Sequence, residues 1–188
     1  MQIKEPITVL LVEDNVGDAR LVREMLREMN ATQIKLLHVV NLEECQVCLA
    51  KQRNPSDQEK TTPCVGVILL DLSLPDGNGL ETVMRVRSAA PDIPIVVMSG
   101  LTDEAIALKA LQEGAQDYLV KGYTDGHGLI RAVSYAIERQ RMQLRLQQTQ
   151  QALQHQLERE ALINRITTAL NSNLDPQFVV QEIVRQTL

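Results

Sequence analysis

The residues of this chain that could do chemistry lie directly after short apolar runs. Glu13 and Asp14 follow one run, Asp71 follows another, and Ser99 and Lys121 follow two more. Carboxylates can bind a divalent cation or attack phosphorus, and hydroxyl and ammonium groups can hold phosphoryl oxygens. The set therefore indicates phosphoryl chemistry, provided that the fold brings the ends of the four runs together. These runs comprise residues 7–12, 67–70, 93–98 and 118–120.

An alternation of strands and helices is needed to position these residues. Short apolar runs with polar ends are typical of strands buried in a parallel sheet, and ligands of such a sheet lie at the carboxyl ends of its strands. The predicted strands are 7–12, 34–40, 65–70, 93–98 and 116–120. The predicted helices are 18–29, 42–51 with Asn41 as N-cap, 80–89 and 103–113, and residues 52–63 form a surface loop. This pattern predicts an α/β fold with helices on both faces of the sheet.

The composition excludes some classes of protein. The 188 residues suffice for one domain of ordinary size and an additional segment. The formal net charge of −5 argues against a general nucleic-acid-binding or membrane-binding surface. Because neither an apolar run of membrane-spanning length nor a signal-peptide pattern occurs, we expect a cytoplasmic protein without a membrane partner.

The three cysteines, Cys45, Cys48 and Cys64, are too few and too uneven in number for a disulfide framework. Cys45 and Cys48 form a C-x-x-C pattern within a predicted helix, but neither a second pair nor clustered histidines accompany them. We interpret them as thiols packed on a helix, and a redox or metal-binding role is the less favoured alternative. None of the three histidines is assigned a chemical role.

Residues 6–136 resemble the receiver domain of bacterial two-component response regulators. Each motif is weak alone, but their ordered combination is highly specific. The resemblance implies a flavodoxin-like (βα)5 doubly wound parallel sheet with strand order 2-1-3-4-5. The matching motifs are Glu13-Asp14, Asp71 within Leu69–Gly79, Met98-Ser99-Gly100, and Asp117-Tyr118-Leu119-Val120-Lys121.

The resemblance makes Asp71 the expected phosphoacceptor, and an aspartate can indeed attack phosphorus to form an acyl phosphate. Glu13 and Asp14 would crowd Asp71 unless a cation joined them. Mg²⁺ suits such a site because it is a hard ion held by a few carboxylates and phosphate oxygens. We expect Asp14 and Asp71 to bind it directly. The backbone carbonyl of Ser73 would complete the protein ligands, and Glu13 would act directly or through water.

Two further residues are expected to hold the phosphoryl group, and one of them is expected to operate a switch. Lys121 supplies a positive point charge, and the Ser99 hydroxyl donates a hydrogen bond. The resemblance implies that Tyr118 turns inward when Ser99 is drawn toward the phosphoryl group. Receivers usually carry a cis-proline after this lysine, whereas Gly122 follows it here. Because a cis peptide before a non-proline residue costs about 2.5–4 kcal/mol, we expect a trans or looser loop at Lys121.

The chain after residue 128 changes in character. We predict a receiver core over residues 1–128, and residues 129–168 as the fifth helix continuing into a glutamine-rich linker with an interrupted heptad pattern. A parallel dimer is the favoured partner for this helix, and a solvated linker helix is the alternative. Residues 169–188 are interpreted as the start of a truncated downstream domain, because residues 161–188 resemble the opening helices of a GAF domain.

The sequence therefore predicts a receiver that takes a phosphoryl group from a histidine kinase or phosphotransfer protein. The change would pass through the C-terminal helix to an output domain, with no direct contact to nucleic acid in this segment. We expect no turnover beyond self-catalysed phosphorylation and dephosphorylation of Asp71. A metal-dependent phosphatase is one alternative, although Ser73 stands where such enzymes carry a second acid. The other alternative is a receiver-like module that docks or dimerises without phosphorylation.

Overall fold

The described residues form seven strands and five helices, the last of which ends at residue 173. The computed structural model describes residues 6–29, 31–53, 64–100 and 104–173. The strands are β1 (Ile7–Val12), β2 (Ile34–Val39), β3 (Val65–Asp71), β4 (Ser73–Leu74), β5 (Gly77–Asn78), β6 (Ile95–Ser99) and β7 (Asp117–Val120). The helices are α1 (Val16–Glu28), α2 (Leu42–Arg53), α3 (Leu80–Ala89), α4 (Glu104–Gln112) and α5 (Gly126–Asn173). The chain separates into two units, Met1–Met142 and Gln143–Leu188.

A five-stranded parallel sheet organises the first unit. Its strand order is β2-β1-β3-β6-β7, and β4 and β5 form a separate antiparallel hairpin. Without the hairpin, this order is the predicted 2-1-3-4-5, so the flavodoxin-like fold is confirmed. The hairpin was not predicted because strands of two residues have no detectable periodicity.

Alternate residues of the central strands enter two separate cores. On one face, Leu70 of β3 packs in a cluster with α2, α3 and α4, whose buried members include Leu42, Leu49, Val83, Val86 and Ala110. On the other face, the neighbouring Leu69 packs in a cluster with α1 and α5, whose buried members include Ala19, Val22, Leu26, Leu129 and Val133. The sheet is therefore covered on both faces, as predicted, and its strands are fixed against helices on either side.

Helix boundaries differ from the predictions by a few residues. α1 begins two residues early, at Val16, where the Asn15 side chain caps it by accepting a hydrogen bond from Gly17 N at 2.8 Å. Asn41 caps α2 as predicted, accepting from Glu44 N at 2.8 Å. α2 continues to Arg53, so the first two residues of the predicted 52–63 loop are helical. The rest of that loop lies outside the described residues.

The cysteine pair lies on α2. Cys45 is buried in the core, Cys48 is partly buried, and Cys64 is exposed. Burial raises the pKa of the Cys45 thiol to about 12. A thiol with so high a pKa is a weak nucleophile and metal ligand at neutral pH, which agrees with the interpretation of Cys45 as a packing residue.

The predicted long C-terminal helix is confirmed in α5, which begins three residues before the predicted Leu129. Beyond residue 144, every side chain that the structure describes is exposed. Residues 174–188, which carry most of the GAF-like stretch, lie outside the described residues. In the described part of the chain, no helix is both long and apolar enough to cross a membrane.

Candidate functional site

The predicted chemical side chains follow strands whose carboxyl ends share one edge of the sheet. Asp71 is the last residue of β3, and Glu13 and Asp14 come directly after the neighbouring β1. Ser99 is the last residue of β6, which pairs with the other side of β3. Lys121 comes directly after β7, the next strand. The strand order therefore brings the side chains of four separate segments to one end of the sheet.

Three carboxylates converge at this edge. Ligand oxygens of Glu13, Asp14 and Asp71 all lie within 4.8 Å of one another. Glu13 is 0% exposed and Asp71 is 5% exposed, whereas Asp14 is exposed to solvent. Buried carboxylates this close repel one another unless a positive charge neutralises them. An all-oxygen set with one side open to water fits a hard divalent cation such as Mg²⁺.

The Lys121 ammonium contacts three carboxylates at once. Its Nζ lies 2.7 Å from Glu13 Oε2, 2.9 Å from Asp71 Oδ2 and 3.1 Å from Asp18 Oδ2. Glu13 Oε2 makes no hydrogen bond of good geometry in the described structure, so the ion pair with Lys121 is its main compensation. Sequence reasoning found Glu13, Asp71 and Lys121 but missed Asp18. The signal was its place in the first turn of the helix that follows the acidic pair.

Burial and charge shift the proton affinities of this cluster. Loss of water around Glu13 raises its pKa to about 7, and the neighbouring Asp71 adds to the rise while Lys121 opposes it. Burial alone would lower the pKa of Lys121, but the contacts with Glu13 and Asp71 outweigh it and raise that pKa. Lys121 is therefore a permanent positive charge at neutral pH.

Ser99 ends β6, and Tyr118 lies in β7. Ser99 is 1% exposed, and its Oγ has no hydrogen-bond partner among the described residues. A buried hydroxyl without a partner is unfavourable, so it is available to a group that enters the site. Tyr118 is partly buried against the core that includes α3 and α4. The roles predicted for both residues stay predictions.

Two other predictions concern the loops beside the site. Ser73 begins the short hairpin after Asp71, where it pairs with Asn78, and its part as a metal ligand stays a prediction. The peptide between Lys121 and Gly122 is trans, and Gly122 has a positive φ of 78°. The trans form is one of the two alternatives expected for this loop, and a looser placement of Lys121 stays a prediction.

His38 was assigned no role from the sequence, yet it supports the acidic loop. Its Nε2 lies 2.8 Å from the backbone oxygen of Glu13, within hydrogen-bonding distance. His38 belongs to β2, the edge strand beside β1. The same loop is braced by Asn15, whose backbone N–H donates to Glu13 Oε1 at 3.2 Å. Glu13 is therefore held through its backbone and its side chain.

Comparison with known proteins agrees with this geometry. Residues 9–134 match the response regulator receiver domain family. The chain belongs to this family, and its first unit is a receiver domain of two-component signalling.

Curated relatives extend well beyond this segment. The chain is 33% identical over 117 residues to a protein-glutamate methylesterase/protein-glutamine glutaminase of Trichodesmium erythraeum, a match covering 60% of this chain and 29% of that protein. It is 30% identical over 111 residues to the regulatory protein LuxO of Vibrio vulnificus, covering 59% of this chain and 21% of LuxO. The chain therefore spans less than a third of the length of these relatives.

Solved structures show the same fold. The receiver domain protein of Clostridium thermocellum aligns with a TM-score of 0.57 and 19% identity, over 72% of this chain and 98% of that one. The receiver domain of NtrX from Brucella abortus aligns with a TM-score of 0.55 and 21% identity, over 69% and 98% of the two chains.

Proposed function

We propose that Asp71 accepts a phosphoryl group from a histidine kinase or a phosphotransfer protein. The observation that carries this proposal is the position of Lys121 Nζ, 2.9 Å from Asp71 Oδ2 and beside the carboxylates of Glu13 and Asp18. A carboxylate nucleophile, a cation-binding oxygen set and a fixed ammonium are the parts that phosphoryl transfer needs. The proposal includes a cytoplasmic location, where a kinase of this type presents its phosphohistidine.

The proposed reaction is a direct displacement at phosphorus. An oxygen of Asp71 attacks the phosphorus of a phosphohistidine, the new P–O bond forms, and the P–N bond to the donor histidine breaks. Lys121 holds one phosphoryl oxygen, and the Ser99 hydroxyl donates a hydrogen bond to another. The acyl phosphate later hydrolyses, so the chemistry is limited to phosphorylation and dephosphorylation of Asp71 itself.

We further propose that Mg²⁺ is held by the carboxylate cluster. Asp14 and Asp71 would bind the ion directly, the Ser73 carbonyl would complete the protein ligands, and Glu13 would bind directly or through water. The ion supplies neutralisation of the negative charge that gathers in transfer. The support for this assignment is the approach of three carboxylates to within 4.8 Å, two of them buried.

Phosphorylation would be transmitted through Ser99 and Tyr118. In this proposal Ser99 moves toward the phosphoryl group, Tyr118 occupies the space that is released, and the surface of α4, β7 and α5 changes. α5 would carry the change to an output domain as a homodimer. Exposed leucines of α5 support this, at 60% for Leu146, 57% for Leu153 and 58% for Leu157. The GAF-like identity of residues 161–188 stays a prediction.

Intact mass spectrometry tests the phosphoacceptor. The protein is incubated with acetyl phosphate and Mg²⁺, beside an Asp71→Asn variant and a sample without Mg²⁺. We expect one added phosphoryl group on the wild type and none in either control. An unmodified wild type would favour the alternative of a docking module that is never phosphorylated. A wild-type adduct that persists in Asp71→Asn would move the acceptor to another residue.

Sedimentation velocity and cross-linking along α5 test the proposed output. We expect the phosphorylated and unphosphorylated proteins to differ in dimerisation or in the spacing of the paired helices. Equal dimerisation with identical spacing in both states would contradict transmission through α5.

A further inference from the structure

We propose that Asp18 is a positioning residue that holds Lys121 in place for phosphoryl transfer, an inference that rests on the proposed function. Asp18 lies in the first turn of α1, and Lys121 follows β7 at the opposite end of the receiver sequence. Its Oδ2 accepts a hydrogen bond from Lys121 Nζ at 3.1 Å. The contact joins an early helix to the lysine loop across the site.

The surroundings of Lys121 explain why a tether is needed. A lysine has a flexible four-carbon stem, and steric contacts must restrict it if charge does not. The Lys121 side chain lines a cleft together with Met25, Met98 and Leu119. The Lys121 side chain is 21% exposed, so packing restrains its stem, while the three carboxylates hold its charged end.

Asp18 differs from the other two partners of Lys121. Glu13 and Asp71 belong to the carboxylate cluster that fits a cation, whereas Asp18 lies outside that cluster. When a cation and a phosphoryl group engage Glu13 and Asp71, those residues share their charge with new partners. Asp18 then remains as the carboxylate that holds Lys121. The backbone of Asp18 is itself held by the N-cap of α1, because Asp18 N donates to the Asn15 side chain at 3.4 Å.

Phosphorylation kinetics of Asp18→Asn test this role. With acetyl phosphate and saturating Mg²⁺, we expect a rate about two- to five-fold below that of the wild type, the size expected for a partly exposed ion pair. Asp18→Glu keeps the charge and is expected to recover most of the rate. Glu28→Gln, at an exposed acid near the other end of α1, is the matched control and is expected to react as the wild type does.

A double variant separates positioning from general structural damage. If Asp18 acts through Lys121, Asp18→Asn will not slow the Lys121→Ala protein any further. An unchanged rate for Asp18→Asn alone, or equal slowing in both backgrounds, would overturn the inference.

The contact between Asp18 and Lys121 can also be detected without any phosphodonor. In ¹⁵N NMR we expect an exchange-protected ammonium signal for Lys121, assigned by its loss in Lys121→Ala, and we expect it to weaken in Asp18→Asn. A signal that does not depend on Asp18 would refute the tether. If the wild type forms no adduct while the signal does depend on Asp18, the proposed function fails and the tether stands. If the wild type forms an adduct and Asp18→Asn reacts at the wild-type rate, the proposed function stands and the positioning role of Asp18 fails.

Discussion

α5 is one continuous helix, but its two stretches are stabilised in different ways. Up to residue 140 one side of the helix is buried, through Leu129, Ala132, Val133, Ala136, Ile137 and Gln140. Beyond residue 144 the described side chains are exposed, and their contacts are local pairs such as Gln154 with Glu158. Tertiary packing therefore supports the first stretch, whereas helix propensity and i,i+4 pairs support the second. The two stretches are therefore equally helical, but only the first is held by contacts with the rest of the receiver.

The largest effect is expected when a leucine of the first stretch is replaced, with a leucine of the second stretch as the comparison. Leu129 is 2% exposed and Leu146 is 60% exposed. We expect Leu129→Ala to lower the free energy of unfolding of the receiver by about 2–5 kcal/mol, because it leaves a cavity in the core. Leu146→Ala should change it by less than about 0.5 kcal/mol. Urea titrations followed by circular dichroism measure both, and equal losses would contradict the division of α5.

A glutamine pair should show the same contrast at a smaller scale. Gln140 is 7% exposed, and its Oε1 accepts from Gln116 Nε2 at 3.2 Å. Gln116 Oε1 in turn accepts from Ile95 N at 2.7 Å, so the pair links α5 to the sheet. Gln140→Ala removes a buried side chain and leaves the partly buried amide of Gln116 without its acceptor, and we expect a loss of about 1–3 kcal/mol in the free energy of unfolding.

Gln147→Ala is the control for that measurement. Gln147 is exposed, and we expect its replacement to leave the unfolding of the receiver unchanged. If both variants lost the same stability, the link between Gln116 and Gln140 would not be what anchors the helix.

Gln140 also shows where sequence reasoning ended. The glutamine-rich stretch was predicted to be a linker helix with an interrupted heptad pattern, and nothing in residue type separates Gln140 from its exposed neighbours. The strands could be predicted from their apolar runs, and the strand order from the family resemblance. The partner of a buried glutamine could not, because it depends on which way two side chains point across 24 residues of chain.

Asp76 also caps the start of α2, beside Asn41, and its replacement should give the next smaller effect. Asp76 accepts hydrogen bonds from Leu42 N at 2.9 Å and Glu43 N at 3.0 Å. Some loss of water opposes ionisation of Asp76, but these backbone bonds prevail and lower its pKa. We expect Asp76→Ala to lower the free energy of unfolding by about 1 kcal/mol at pH 7. Thus α2 is anchored by a residue distant in sequence, as the first stretch of α5 is.

The pH dependence of this effect has a definite sign. Because the folded-state pKa is lowered, the stabilisation is fully present above the unfolded pKa of about 4 and is lost as pH falls through the folded value. The difference between the wild type and Asp76→Ala should therefore shrink in urea titrations below about pH 4. Asp92→Ala, at another exposed aspartate, is the control, and a difference that stays constant down to acid pH would contradict the capping role.

Some residues of the candidate site could be predicted from the sequence, and others could not. Glu13, Asp71 and Lys121 could be found because each stands at the end of a buried strand, and parallel strands share that edge. Asp18 and His38 could not be assigned from strand ends. Asp18 reaches Lys121 from a helix, and His38 acts through the backbone oxygen of Glu13. Both contacts are set by side-chain direction rather than by periodicity.

The smallest effect is expected at Gln156, in the exposed stretch of α5. Its Nε2 donates to Glu160 Oε1 at 3.2 Å, a local pair of about 0.2–0.5 kcal/mol. Gln156→Ala removes this pair but introduces a residue whose helix propensity is better by a few tenths of a kcal/mol, so the two changes offset. Ellipticity at 222 nm should then stay constant. A clear loss of helix would mean that Gln156 makes a contact beyond this local pair.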